Sequence, residues 1–257
     1  MTDHDLTFWE HLDVLRGSLI RCLAAVFGCA IVAFVLKEQI FDLVLWPQKA
    51  DFPTYRLLGR LSPDSAFAPI ALINTGLAQQ FIVHMRVALA IGALAVSPYI
   101  LYELFRFVSP ALYPNERKAS LPAVLAGYVM FLVGVAVSYL LIFPFTFRFL
   151  GTYQVQADVQ NLIALDSYVS TLLILSLMMG VLFELPVLCW LLAKLGLLTS
   201  APMRHYRRHA FVVIVILSAV ITPTGDIFTL SLVSLPVYVL YEAGICVVKR
   251  VEKQKMT

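Results

Sequence analysis

Phe105-Arg106-Phe107-Val108-Ser109-Pro110-Ala111-Leu112-Tyr113-Pro114-Asn115-Glu116-Arg117-Lys118 is a short polar stretch set between two long apolar segments. Pro110 and Pro114 each lack an N–H and restrict the residue before them, so no helix can run through. The chain must turn here. The turn carries one carboxylate, Glu116, among Arg106, Arg117 and Lys118. Everything around it follows the same rule of long apolar runs interrupted by short charged connections.

Apolar residues make up 60% of the 257-residue chain and charged ones 14%, against roughly 45–50% and 25% in a soluble domain. Mean hydropathy is +0.85. A chain this apolar cannot cover itself with polar surface, so an integral membrane protein is expected. The net charge of +3 does not point to nucleic acid, because the basic residues fall in separate loops and not on one face. Cys22, Cys29, Cys189 and Cys246 all lie in apolar segments without a CxxC pair, which implies neither a metal site nor a disulfide framework. With Asp3, Asp5 and Glu10, the N-terminus has neither the basic start of a signal peptide nor the character of a transit peptide. The first apolar segment is therefore expected to remain in the mature protein.

The expected fold is all-α: a polytopic membrane domain of six transmembrane helices over 1–257, with the fifth and sixth short and both termini cytoplasmic. Residues 5–16 read as an amphipathic helix on the membrane surface within a cytoplasmic N-terminus at 1–17. Spans follow at about 18–36, 86–106, 121–147, 167–193 and 227–248. Only thirteen residues separate Arg208 from Thr222, fewer than the ~20 a span needs, so the fifth is short. The connections are an outer loop at 39–75, cytoplasmic loops at 106–120 and 194–208, and a cytoplasmic tail at 249–257. In this arrangement Lys37, Lys49, Arg56, Arg60, Arg86 and Arg148 lie on one side and the other thirteen of the 19 basic residues on the side of the termini. The positive-inside rule then makes that side cytoplasmic.

Four sets of residues could carry chemistry. Glu10 and Asp13, three apart, share a helix face near the start, although Glu10 also fits a capping box with Thr7. Glu116 can receive a cationic peptide, or form a local ion pair with Arg106 or Arg117. Glu184 lies ten residues from Lys194, about 15 Å along a helix and near mid-membrane. An ionisable group there must face the protein interior or a wet cavity; it either joins two helices by hydrogen bonds or receives a partner or substrate. Asp226 follows Gly225 in a tight turn, where an Asp caps the next helix. No GxxxxGK[ST] or HExxH string occurs, so no enzyme, cofactor or metal is expected, and any work done must draw on energy from elsewhere.

These motifs closely resemble the TatC family, the signal-peptide receptor subunit of the twin-arginine protein translocase. The resemblance is carried by His11-Leu12-Asp13-Val14-Leu15-Arg16, Pro47, Phe107 to Lys118, Gly180 to Val187, Leu195 to Thr199, Arg204 to Ala210 and Thr222 to Asp226. It implies a cytoplasmic (inner) membrane protein that binds signal peptides bearing two adjacent arginines at its cytoplasmic face. It further implies export of folded proteins driven by the proton-motive force, with single-span TatA/TatB-type partner subunits and a homo-oligomer within the complex. Glu116 matches the family's loop glutamate, Phe107 its aromatic neighbour, Glu184 the mid-membrane acid and Asp226 the turn acid. The implied peptide site comprises Glu116, Phe107, Arg117, Glu10, Asp13 and Arg16; Glu184, Asp226 and Pro47 are implied intramembrane or partner contacts. A guanidinium fork matches a carboxylate bidentately as lysine does not, which suits that site.

Two departures stand out. Val14 occupies the place of the family's second glutamate, with Asp13 about 100° away around the helix and Glu10 one turn earlier. Thr224-Gly225 lengthens the turn before Asp226 by one residue. Two further readings compete: an ion- or proton-coupled secondary transporter with Glu184 as relay, which lacks the inverted repeat such proteins often show, and a passive scaffold for single-span partners.

Overall fold

The computed structural model describes residues 8–61, 70–108, 120–156 and 161–256. Helix α1 runs unbroken over Phe8–Val35, so from Phe8 on the expected surface segment and first span are one helix; residues 5–7 lie outside the described residues. Leu36 (φ −84°, ψ 38°) breaks it, and α2 resumes at Lys37–Leu45. A 3₁₀ turn, Trp46–Gln48, is built round Pro47, and α3 follows at Pro53–Leu61. The 39–75 stretch, expected as a loop, thus carries two helices among its described residues. Phe52 is fully buried, edge-on to Trp46 at 5.2 Å and to Tyr139 at 5.6 Å.

Strand β1 (Leu72–Ile73) pairs in parallel with β2 (Ile163–Ala164), Leu72 opposite Ile163 and Ile73 opposite Ala164. This two-residue ladder ties the 39–75 connection to the one after the third span. Helix α4 covers Gln79–Val108. A continuous helical stretch then comprises α5 (Ser120–Val137), a π-helical turn (Ser138–Ile142) and α6 (Phe143–Thr152). Helices α7 (Leu165–Leu182) and α8 (Leu185–Lys194) are separated by a one-turn break at Phe183-Glu184. Helices α9 (Ser200–His205), α10 (Arg207–Ile221) and α11 (Ile227–Met256) complete the chain.

Side-chain hydroxyls reach several backbone carbonyls of the bundle, two of them freed by interior prolines. Pro144 has no N–H for the carbonyl of Leu140 four residues earlier; the Thr54 hydroxyl of α3 donates to it instead. Tyr55 Oη likewise donates to the Pro144 carbonyl at 3.2 Å. In α4, Pro98 frees the Leu94 carbonyl, and Ser97 Oγ donates to it at 2.8 Å. The last carbonyls of α2 are reached from the third and fourth spans, by Tyr139 Oη on Leu43 at 2.6 Å and Tyr168 Oη on Val44 at 3.0 Å. In hydrocarbon a backbone group without a partner costs several kcal/mol, so each of these hydroxyls stabilises the carbonyl it reaches.

Among the described residues, five stretches are long and apolar enough to cross a bilayer: Leu12–Val35, Gln79–Phe107, Pro122–Thr152, Leu165–Lys194 and Ile227–Lys255. Helix α10, with 15 residues, reaches only about 22 Å, in keeping with the expected short fifth span. The expected short sixth span is not found: α11 has 30 residues and continues past Val248. Its extension is held by end groups of its neighbours. Lys255 Nζ donates to the Ala193 and Lys194 carbonyls at 3.1 and 2.6 Å, capping the C-terminus of α8. Glu252 accepts from Ser200 N (2.8 Å) and Ser200 Oγ (2.5 Å) at the start of α9. The 249–257 segment is therefore mostly helix docked on the 194–208 connection and not a free tail.

The core is centred on Val83, Val87, Phe143, Tyr168, Val169, Leu175, Met179, Val233 and Val237, all essentially inaccessible. Large apolar side chains such as Ile31, Val35 and Val220 point outward, as expected where lipid is the solvent. Close approach of helices depends on glycine. A Cβ on Gly92 of α4 would lie 2.7 Å from the Val26 carbonyl and 2.8 Å from Ala30 N of α1. Helices α1 and α4 form the most extensive pair among the described elements.

Candidate functional site

Near the end of α4, an open cleft of about 220 Å³ between α1 and α4 is lined by Asp13, Val14, Gly17, Ser18, Arg21, Arg106 and Phe107. Positions 13, 14, 17, 18 and 21 recur at three- and four-residue spacing and so form one helix face. Asp13 and Val14 both reach the cleft, so one carboxylate lines it despite the valine. Arg16 is exposed on α1 but does not line the cleft. Glu10 lies on α1 three positions before Asp13, and its side chain is outside the described residues. Glu116 and Arg117 also lie outside them; Val108 ends α4 eight positions before Glu116.

Beneath the cleft lies Glu103, an acid that belongs to none of the motifs above. Glu103, with only 4% of its side chain exposed, pairs with Arg21 at 3.0 Å and faces Arg106 at 3.7 Å. Arg21 grips it with two nitrogens, Nη2 on Oε2 at 3.0 Å and Nε on Oε1 at 3.4 Å. Ser18 Oγ donates to Oε2 at 2.7 Å and Tyr99 Oη to Oε1 at 3.0 Å. The available signal was an acid in Leu101-Tyr102-Glu103-Leu104 and a base in Ile20-Arg21-Cys22, both inside apolar runs where charges need partners.

The other expected positions lie elsewhere. Glu184 sits in the break between α7 and α8, where Pro186 at the start of α8 frees a carbonyl and loosens the helix. The residue is 8% exposed, and its Oε1 has no hydrogen-bond partner among the described residues. The carboxyl lies against Gly127 of α5, where a Cβ would come within 3.0 Å of Oε2. Glycine at 127 makes the room this acid needs. Beside it, Pro122, Ala123, Ala126, Pro186, Val187 and Trp190 of α5 and α8 line an apolar hollow of about 320 Å³, completed by Val247.

Asp226 caps α11 as expected: Oδ1 accepts from Thr229 N at 2.7 Å and Oδ2 from Thr224 Oγ1 at 2.6 Å. Gly225 (φ +61°) provides the left-handed residue this turn needs. Burial pushes the Asp226 carboxyl upward, but the Thr224 and Thr229 hydrogen bonds outweigh it and leave the group below the usual carboxylate range. Pro47 is buried in its 3₁₀ turn. The structure thus brings Asp13 and Phe107 together at one cleft and leaves Glu184, Asp226 and Pro47 in separate surroundings.

Among the described residues no group of three or more His, Cys, Asp or Glu is placed to hold a metal. The fold and these sites define a multi-pass helical membrane protein whose polar groups are gathered at a cleft, a helix break and a capped turn. The profile of the family "Sec-independent protein translocase protein (TatC)" matches residues 10–236, and the chain belongs to that family. A TatC of Blattabacterium sp. subsp. Periplaneta americana is 32% identical over 98% of both chains. One from Helicobacter pylori (strain 26695) is 39% identical over 94% of this chain and 87% of its own. A crystal structure described as the twin-arginine translocase receptor TatC superposes with a TM-score of 0.77 at 27% identity, over 94% of this chain and 99% of that one. Membership displaces the secondary-transporter alternative: the protein is a component of the Sec-independent protein translocase.

Proposed function

We propose that this chain is the receptor of a twin-arginine translocase and that the α1–α4 cleft, with the adjoining turn, receives the arginine pair of the signal peptide. The observation carrying this reading is the cleft itself: a carboxylate (Asp13) and an aromatic (Phe107) meet at the end of α4 that leads into the turn bearing Glu116. Arg117, Glu10 and Arg16 complete the proposed contacts. The bias of basic residues supports placing this end, and both termini, in the cytoplasm, with six spans in the inner membrane.

In this reading Glu184 and Asp226 serve partner subunits and not the peptide. Single-span TatA/TatB-type subunits pack against the spans, several copies of the chain assemble in the complex, and the proton-motive force drives folded cargo across. Binding of labelled Arg-Arg and Lys-Lys signal peptides to the protein in nanodiscs tests the receptor role. At least tenfold tighter binding of Arg-Arg, about 1.4 kcal/mol, with the margin removed by Glu116→Gln, is expected. Equal binding of the two peptides, unchanged by the substitution, would refute it.

A further inference from the structure

Glu103 is built to hold guanidinium. Its two oxygens accept from Ser18, Tyr99 and a forked Arg21, all across or along the α1–α4 contact. Oε1 is the less firmly held oxygen: its bond from Arg21 Nε is long, 3.4 Å, and Arg106 faces it no closer than 3.7 Å with 64% of its side chain exposed. That contact is an ion pair without a hydrogen bond, and a half-solvated pair of this kind is weak and easily exchanged. Both arginines line the cleft.

Charge sets the direction of exchange. Asp13 and Glu103 are balanced by Arg21 and Arg106, so the closed cluster offers a third cation no net attraction. If Arg106 swings into solvent, two carboxylates face one arginine, and an incoming guanidinium can replace the long Arg21 Nε contact on Oε1 while Arg21 Nη2 stays on Oε2, an exchange between planar forks that an ammonium matches less well. We infer that Glu103 is a second guanidinium-binding carboxylate of the peptide site, covered in the free protein by Arg106, and that an arginine of the docking peptide takes the place of Arg106. Arg21 stays on Glu103 throughout and positions it. The inference rests on the reading of the cleft as the twin-arginine site, and it assigns Glu103 and Arg106 roles separate from that of Glu116.

The test measures binding of Arg-Arg-amide and Lys-Lys-amide probes to the full chain in nanodiscs, in the native protein and in the Arg106→Gln, Glu103→Gln and double variants. Removing the cover is expected to tighten Arg-Arg binding about threefold to fivefold, the scale of one exposed ion pair released. Glu103→Gln is expected to weaken it about tenfold and to narrow the preference over Lys-Lys, since a charge-assisted fork is lost. The double variant is expected to bind like Glu103→Gln alone. A gain of affinity cannot come from misfolding, so Arg106→Gln remains informative even if Glu103→Gln folds poorly. No gain in Arg106→Gln, or an equal gain with Glu103 already replaced, overturns the inference. Failure of the receptor reading shows separately, as indifference of the native chain to Arg against Lys and to Glu116→Gln.

Discussion

Gly92→Ala tests whether the α1–α4 contact is set by backbone touching backbone. The added methyl would start 2.7 Å from the Val26 carbonyl, 2.8 Å from Ala30 N and 3.0 Å from Ala30 Cβ. None of these three atoms is the end of a flexible side chain. An ordinary carbon–oxygen contact is about 3.3–3.6 Å, so the helices must part locally by about 0.6 Å or more. Gaps of that size forfeit a quarter to a half of each affected contact, and overpacking of this kind costs about 1–3 kcal/mol. The better helix propensity of alanine offsets about 0.5–1 kcal/mol of that, leaving a net loss centred on about 1 kcal/mol and at most about 2.5 kcal/mol.

Gly28→Ala is the control. It lies on α1, and its new methyl meets nothing within 4 Å, so only the propensity gain of about 0.5–1 kcal/mol remains. Titrating the purified protein from mild detergent into SDS, followed by circular dichroism, gives both stabilities; spin-label distances between α1 and α4 report the separation. Because Arg21 and Glu103 bridge the same pair of helices, the separated variant is also expected to bind the Arg-Arg probe more weakly. Equal stability changes for the two glycines, or an unchanged α1–α4 distance in Gly92→Ala, would refute the close-contact argument.

Thr54→Val is expected to cost about 1–3 kcal/mol by stranding the Leu140 carbonyl, while Thr54→Ser is expected to be milder; the same SDS titration separates them. Asp226→Ala removes the cap of α11 and is expected to cost about 0.5–2 kcal/mol. Because the folded Asp226 carboxyl lies below its unfolded value, its contribution is present above the unfolded pKa and lost as pH falls through the folded one. Asp226→Asn should therefore flatten the acid limb of a stability-against-pH curve; an unchanged limb would contradict this. Truncation after Val248 removes Glu252 and Lys255 and should raise amide exchange and proteolysis across 194–205, whereas unchanged protection would show that these caps do not hold that connection.

Much of the architecture was legible in the sequence because each residue's local surroundings were enough to indicate it. The Arg208–Thr222 spacing marks α10 as short and Gly225-Asp226 marks a turn and a cap, while the break expected at Pro110 and Pro114 lies outside the described residues. The outer 39–75 stretch was less legible. Its helices are short and interrupted by Pro47 and Pro53, so no long apolar period marks them. The first basic residues after Val248 mark an end for the last span by hydropathy alone, whereas Glu252 and Lys255 continue α11 beyond it by bonding to α9 and α8.

The candidate site divides in the same way. Composition and periodicity by themselves determined that the chain crosses a membrane, where it turns, and that Glu116, Glu184 and Asp226 are acids with something to explain. Only the tertiary structure decided that Glu103 belongs with Arg21, 82 positions away, that Gly127 makes room for Glu184, and that Thr54 serves Leu140. Hydrophobic period records whether a side chain faces lipid or protein, but not which polar group lies opposite. That depends on how far each helix is slid and rotated against its neighbour, and contacts such as Gly92 on the backbone of α1 fix it only once the helices have packed.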